Sequence, residues 1–508
     1  MPIFLGLDIG TTSTVGILID EAGGIIKVAS RPATLHSMHA NWAEEEPAEW
    51  WRNCCEITQQ LLQQSGVAAS EIAGVGVTGM LPAVILLDAE GGSIRRSIQQ
   101  NDARATGELE IFRKSMDEGE FVNLTGTGYS QQLVGPKLMW LRTHEPESFR
   151  RTRWVIGACD YITSQLTSTY QVEHNWALES GFVNIATGDY EDRLIDLSGI
   201  DRGLLLPIRQ SHEVVGTVTK SAALQLGLVA GTPVVAGCAD HVASAFVCGA
   251  TRDGDLVIKF GGSADILLSA TRPVKDRRLF IDYHIVPGLY FQNGCMAAGG
   301  NLLNWIVHNW GSVELEQAKG AGLTVHQRLD QMATQGDTEL LFLPYVLGEK
   351  TPLMDPWARG TIVGLGLHHR LPDVWRAALE GIVFGMRHHV ETFAENGLGV
   401  SQVFAADGGA ASDLWLQIAA DVLDQPVRRI LRHPGSCLGA AFVAGVGTGS
   451  IRHWSDIAAY VKEDRVFVPK KSSARRYAEK YQLWRETYER LRTLYPRLHA
   501  QSLAGEQS

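Results

Sequence analysis

Asp8 ends an apolar run, Ile3-Phe4-Leu5-Gly6-Leu7, and is followed by Ile9-Gly10-Thr11-Thr12-Ser13 before a second apolar run reaches Asp20. A carboxylate just ahead of a turn of small, hydroxyl-bearing residues suits phosphate. Gly10 lets the backbone approach a ligand, Thr11, Thr12 and Ser13 offer hydroxyl and amide donors, and Asp8 can hold the Mg2+ that a polyphosphate carries. Without metal the carboxylate would repel the phosphates. Read locally, the same residues also make an ordinary hairpin with a Gly-Thr turn and a surface aspartate.

A second carboxylate, Asp240, follows the apolar stretch Thr232 to Ala236 and opens a run of small residues, Val242-Ala243-Ser244-Ala245. Locally it fits an N-cap as well as a reactive group. Asp255 to Ser269 repeats the opening plan of strand, glycine turn and strand, with Gly261-Gly262-Ser263 at the turn. Val403 to Asp413 runs from a strand into Gly408-Gly409-Ala410, much as Ile72 to Thr78 runs into Gly79-Met80-Leu81-Pro82. Loops at the carboxyl ends of strands are where open α/β sheets bind ligands. Asn101-Asp102-Ala103-Arg104 reads as the start of a helix capped by Asn101 or Asp102.

The elements that position these groups alternate between strand and helix. Pro47 to Gln64 is amphipathic, with Trp50, Cys54, Ile57, Leu61 and Leu62 at helical spacing. Ala83 to Leu87 reads as a strand, Pro372 to Phe384 as a helix, and Ser472 to Leu498 as a C-terminal helix packed on the second half through Tyr477, Tyr481, Trp484, Tyr488 and Leu491. The two halves share a plan, which suggests two related α/β domains facing a cleft, the first over residues 1–246 and the second over 247–508.

A chain of 508 residues is too long for one ordinary core. Its net charge of -11 argues against a general nucleic-acid or anionic-membrane binder, since there is no basic excess to release counterions. No stretch approaches the roughly 20 apolar residues of a membrane span, and Met1 to Asp8 lacks the features of a signal peptide. The seven cysteines are scattered, without a CxxC pair, which points to buried thiols in a reducing cytoplasm and to no zinc site.

Taken in order, Asp8 to Ser13, Asn101 to Arg104, Gly237 to Asp240, Phe342 to Pro352, Asp355 to Gly360, Gly364 to Leu367 and Gly408 to Ala410 resemble the FGGY family of carbohydrate kinases, over nearly the whole chain. The resemblance implies an α/β fold of two ribonuclease H-like, actin-like ATPase domains around a central cleft. It implies phosphorylation of a sugar or polyol hydroxyl with ATP and Mg2+, with Asp240 as base and Asp8 as the acidic residue that works with the metal. Gly10, Thr11, Thr12 and Ser13 match the first phosphate loop, and Gly261, Gly262 and Ser263 the second. Gly299 and Gly300 match a segment beside the nucleotide; Gly408, Gly409, Ala410 and Asp413 match the adenosine turn. Met80, Leu81, Asp102, Asp240 and His241 are the expected sugar contacts, Asp8 and Asp240 the expected metal ligands, and a homodimer the implied assembly.

Within the family the pattern is most like the pentulose kinases of the xylulokinase branch, so the expected reaction makes D-xylulose 5-phosphate from D-xylulose. Ribulose, L-xylulose, erythritol and gluconate are the competing acceptors, and a nucleotide-driven conformational switch the competing class. Two departures bear on this. Met80-Leu81-Pro82 stands where xylulokinases carry Gln-Met-His and, at Leu81 and Pro82, glycerol kinases carry Arg-Glu. That loss of polar groups argues against glycerol and weakens D-xylulose. Val15 stands where many members carry Lys or Arg directed at the phosphates, so that charge must come from Mg2+, the loop amides or another basic residue.

Overall fold

The computed structural model describes residues 1–334, 337–431 and 434–506, with side chains as far as residue 501. Two seven-stranded mixed sheets organise the chain. In the first, Ile3–Ile9 pairs antiparallel with Ser13–Asp20 and parallel with Ile72–Gly79, while Ile25–Pro32 extends one side and Pro233–Val235 and Val214–Thr217 the other. In the second, Asp255–Phe260 pairs antiparallel with Ala264–Ala270 and parallel with Gln402–Ala406. The shared plan expected from the sequence is therefore present as matching strand pairings. Central strands read as continuous apolar runs because helices cover both faces.

One helix ties the halves together. Ser436–Gly447 lies late in the sequence, yet its Cys437, Leu438, Ala441 and Phe442 belong to the core built on the first sheet. It lies flat against the strand backbones because Gly6 and Gly76 carry no side chain. A Cβ on Gly6 would sit 2.0 Å from the Cys437 carbonyl oxygen, and one on Gly76 2.0 Å from that of Ala440. Gly6→Ala is therefore expected to cost at least about 1–3 kcal/mol by overpacking, read from chemical denaturation. That close approach also carries the start of the helix, Ser436, to Asp8.

Pro47–Ser65 forms as expected and buries Trp50, Cys54, Ile57 and Leu61. Other expectations need correction. No helix begins at Asn101 to Arg104; it begins at Thr106 behind Ala105, with no side-chain cap. The strand Ile85–Leu87 is shorter than Ala83 to Leu87, and the helix starting at Leu371 runs on to Glu395. The C-terminal segment divides into Lys471–Leu491 and Tyr495–Glu506, the first burying Tyr477, Tyr481, Trp484 and Tyr488 in the core of the second sheet. Among the described residues no helix is long and apolar enough to cross a membrane, and the seven cysteines are free thiols.

Candidate active site

The two carboxylates singled out in the sequence meet at the strand ends of the first sheet. Asp8 lies opposite Thr78 on the neighbouring strand, and the Thr78 hydroxyl donates to its Oδ1 at 2.9 Å. Asp240 is the first residue of the helix Asp240–Phe246, which follows the short strand Cys238–Ala239 on the same edge. Gly237 makes the turn before it: its φ is 101°, and a Cβ there would meet the Val77 carbonyl oxygen at 2.5 Å, so only glycine fits. Ala239 occupies the N-cap position, so Asp240 is not the cap residue, although its carboxylate accepts the His241 amide at 2.6 Å.

Burial pushes the Asp8 carboxyl up to about 7 and the charge of Asp240 pushes in the same direction, against hydrogen bonds from Ser436 and Thr78 and the charge of Lys259. Two carboxylates held close in a low-dielectric cleft favour one proton or one cation between them. Their hard oxygens suit Mg2+. Sequence reasoning missed Ser436, which reaches the site only through the fold, and Lys259, which reads as a polar interruption in an apolar strand.

The loops around this pair are bound to one another by backbone. Gly10 donates to the Ser13 carbonyl at 3.1 Å, and the Thr12 carbonyl accepts the Ala33 amide at 3.0 Å. The Thr11 hydroxyl points to the Met80 sulfur at 3.7 Å. Against the turn of the second hairpin, Gly299 donates to the Gly262 carbonyl and Gly300 to that of Gly261, each at 2.8 Å. The Phe342 to Pro352 block supports this segment from behind. Glu349 Oε1 accepts the Ala297 amide at 2.7 Å, and the Thr351 hydroxyl accepts the Cys295 amide at 2.6 Å.

On the other side of Asp240 lies a polar cluster drawn from both halves of the chain. His241 Nε2 is 3.2 Å from Asp282 Oδ2 and 3.9 Å from Glu179 Oε1, and its Nδ1 is 3.5 Å from Asp240 Oδ1. Burial opposes a charged imidazole, but Asp282, Asp240 and Glu179 outweigh it and hold His241 protonated well above the ordinary histidine range. Burial, reinforced by the charge of Asp282, raises Glu179 well above the usual carboxyl range, while the charge of His241 opposes that rise. Glu179 Oε1 and Asn293 Oδ1 are buried without a hydrogen-bond partner. Such atoms are costly unless something binds there. Asn175 fixes the two halves here, accepting the Tyr283 amide at 2.7 Å and donating to its carbonyl at 3.0 Å.

The remaining expected sugar contacts are placed differently from one another. Met80 and Leu81 are almost wholly buried. Asp102 is fully buried, its Oδ2 accepting the Ala43 amide at 2.6 Å and its two oxygens together binding the Arg104 guanidinium. Burial alone would raise the Asp102 carboxyl; Arg104 and the Ala43 amide hold it low instead. Asp102 thus anchors Arg104, whose guanidinium stacks 3.8 Å over Trp42.

A cleft of about 860 Å³ opens beside the second hairpin, lined by Gly261, Gly262, Gly300, Gly408, Gly409 and Asp413 among others. Its size and glycine-lined wall suit a nucleoside. Ala410 is buried beneath this wall, and Ser263 and Gly299 do not line the cleft. Asp413 stands at its edge with its carboxylate held by Arg429 at 2.6 Å and Arg465 at 2.7 Å. The sequence reading missed Asp330, which also lines the cleft and accepts from the Ser412 hydroxyl at 2.6 Å and the Trp375 indole at 2.8 Å. Asp407, just before the glycine pair, has φ 71°, a strained conformation of the kind that gathers at binding sites.

Two glycine-turn hairpins on matching sheets and a pair of carboxylates, with a nucleoside-sized cleft on one side and a cluster of His241, Glu179 and Asp282 on the other, fit a phosphotransferase of the actin-like ATPase fold. The chain belongs to the FGGY family of carbohydrate kinases. Residues 3–247 match that family's N-terminal domain and residues 256–448 its C-terminal domain. It is 42% identical to xylulose kinase from Rhodospirillum rubrum, whose crystal structure superposes with a TM-score of 0.91 over 97% of this chain and 99% of that one. Xylulose kinase of Bacillus subtilis is 27% identical over 96% of this chain and 97% of its own length. Gluconokinase of the same organism is also 27% identical, over 93% of each. The chain is therefore a sugar kinase, and identity to these two curated relatives does not choose its sugar.

Proposed function

We propose that the chain transfers the γ-phosphate of MgATP to a terminal hydroxyl of a ketopentose, D-xylulose giving D-xylulose 5-phosphate. The observation that carries the choice of acceptor is the cluster of Glu179, His241 and Asp282 beside Asp240. It offers a neutral, hydroxyl-rich molecule both donors and acceptors, and it supplies polarity that Leu81 and Pro82 lack. An aldonate such as gluconate would bring its own negative charge to a face with one imidazolium and several carboxyl groups. The names of the xylulose kinase relatives support the same reading.

Phosphoryl transfer asks a protein for in-line positioning, charge neutralisation and a group to accept the hydroxyl proton. Asp240 takes the proton. Asp8 and Asp240 are the residues that would hold Mg2+, which when bound offsets the phosphate charge. Gly10 to Ser13 and Gly261 to Ser263 supply the phosphate-facing amides, and Gly408 and Gly409 a wall against which the adenosine lies. The free thiols support a reducing cytoplasm as the compartment. A homodimer is the proposed assembly, to be read by sedimentation.

The test is sugar-dependent ADP release across D-xylulose, D-ribulose, L-xylulose, erythritol and gluconate. The reading expects the highest kcat/KM with a ketopentose. A higher value with gluconate or erythritol overturns the choice of acceptor, and sugar-independent hydrolysis would favour a nucleotide switch. Asp282→Asn is expected to raise the KM for the ketopentose by about tenfold or more, since a buried hydrogen-bonding charge is worth on the order of 1.5–3 kcal/mol, with the KM for ATP nearly unchanged. Equal changes in both constants would point to general damage.

A further inference from the structure

The two hairpins place opposite charges at equivalent positions. Asp8 lies two residues before Gly10 and pairs across its hairpin with Val15. Lys259 lies two residues before Gly261 and pairs across its own hairpin with Asp265. The second hairpin thus carries a cation where the first carries a carboxylate.

Lys259 is largely buried at the base of the second hairpin's turn. Its side chain is 15% exposed, and its ammonium nitrogen lies 3.9 Å from Asp265 Oδ2, beyond hydrogen-bond length. That spacing makes Asp265 a weak partner for so buried a charge. Asp240 and Asp407 are also near enough to favour its protonated form, against the effect of burial, and it in turn lowers the pKa of Asp8. One ammonium is therefore felt electrostatically by carboxylates of both hairpins, of the helix Asp240–Phe246 and of the residue before Gly408. A lysine needed only to balance Asp265 would be expected to close on it within hydrogen-bond reach. Phe260, Gly261 and Gly262, the residues that follow Lys259, already line the nucleoside cleft.

We infer that Lys259 is a phosphate-directed cation of this chain, its ammonium bonding the terminal phosphate oxygens of the nucleotide from the second hairpin. This deepens the kinase reading and rests on it. The polyphosphate would then be gripped by metal and carboxylates from the first hairpin and by ammonium and amides from the second. Lys259 forms no covalent bond and passes no proton; it neutralises and orients.

The test is calorimetric binding of ATP, ADP and AMP to the full chain and to Lys259→Met, which keeps length and removes charge. A terminal-phosphate contact is expected to weaken ATP at least tenfold, ADP less, and AMP by no more than twofold, because AMP is held through its adenosine. Equal weakening of all three nucleotides, or unchanged ATP affinity, overturns the assignment. Should Lys259→Met fail to fold, Lys259→Arg and Lys259→Gln are compared: retention of the ATP-over-AMP preference in Arg but not in Gln supports the inference, and identical behaviour overturns it. Failure of the unaltered chain to release ADP with any sugar would instead count against the kinase reading itself.

Discussion

Asp240→Asn is expected to lower kcat by about 10² to 10⁴, the usual worth of a positioned general base, while the folded state survives. The side chain is 31% exposed and opens a helix, so replacing it leaves no core cavity. An amide oxygen can still accept the His241 amide, which now bonds Asp240 Oδ1 at 2.6 Å. His241 retains Asp282 at 3.2 Å as a charge partner. What the amide cannot do is take a proton from the attacking hydroxyl. Steady-state kinetics with saturating MgATP, alongside a thermal melt, separates the two roles: kcat collapses and the melting temperature stays within a few degrees. A variant that turned over every tested sugar at near-normal kcat would remove Asp240 from the role of base.

The parts of this site that were legible in the sequence are those in which neighbours along the chain are also neighbours in space. Asp8 to Ser13 and Gly261 to Ser263 form the turns of tight hairpins whose flanking apolar runs lie side by side, and the Gly408-Gly409 turn is equally local. Asp102 shows how the same logic fails. Its position suggested a helix cap, and its carboxylate does accept the Arg104 amide two residues ahead at 3.0 Å, but no helix starts there; it also accepts the amide of Ala43, 59 residues away, and holds Arg104 against Trp42. Glu179, Asp282 and Asn293 were invisible for a related reason. Each is a polar residue within or at the end of a helix or strand, indistinguishable from a solvated side chain until the halves of the chain close on one another and bury it. Ser436 reaches Asp8 only because Gly6 and Gly76 let a distant helix lie on the first sheet.

Asp8→Asn is expected to abolish MgATP-dependent turnover and, in the same protein, to stabilise the metal-free form at alkaline pH. The folded chain raises the Asp8 carboxyl from an ordinary 3.8 to about 7. Between those values the native state holds a proton that the unfolded chain has already released. Stability therefore falls as pH rises through that window, and the cost is fully present above about pH 7. Removing the ionisable group removes this cost, on the order of 2 kcal/mol between about pH 5 and about pH 8. The asparagine oxygen can still accept the Thr78 hydroxyl, which donates to Asp8 at 2.9 Å. Denaturation in EDTA at the two pH values measures the effect: the unaltered chain loses stability on going alkaline, and the variant loses less. Added Mg2+ should then reverse the order, because a cation that binds only the native state stabilises it by mass action, and only the carboxylate attracts it strongly. A metal-free chain whose stability followed the same pH course with and without the Asp8 carboxyl would show that no such cost is stored there. The carboxylate would then be held by its hydrogen bonds and by Lys259 alone, and the case for a cation site between Asp8 and Asp240 would lose its energetic basis.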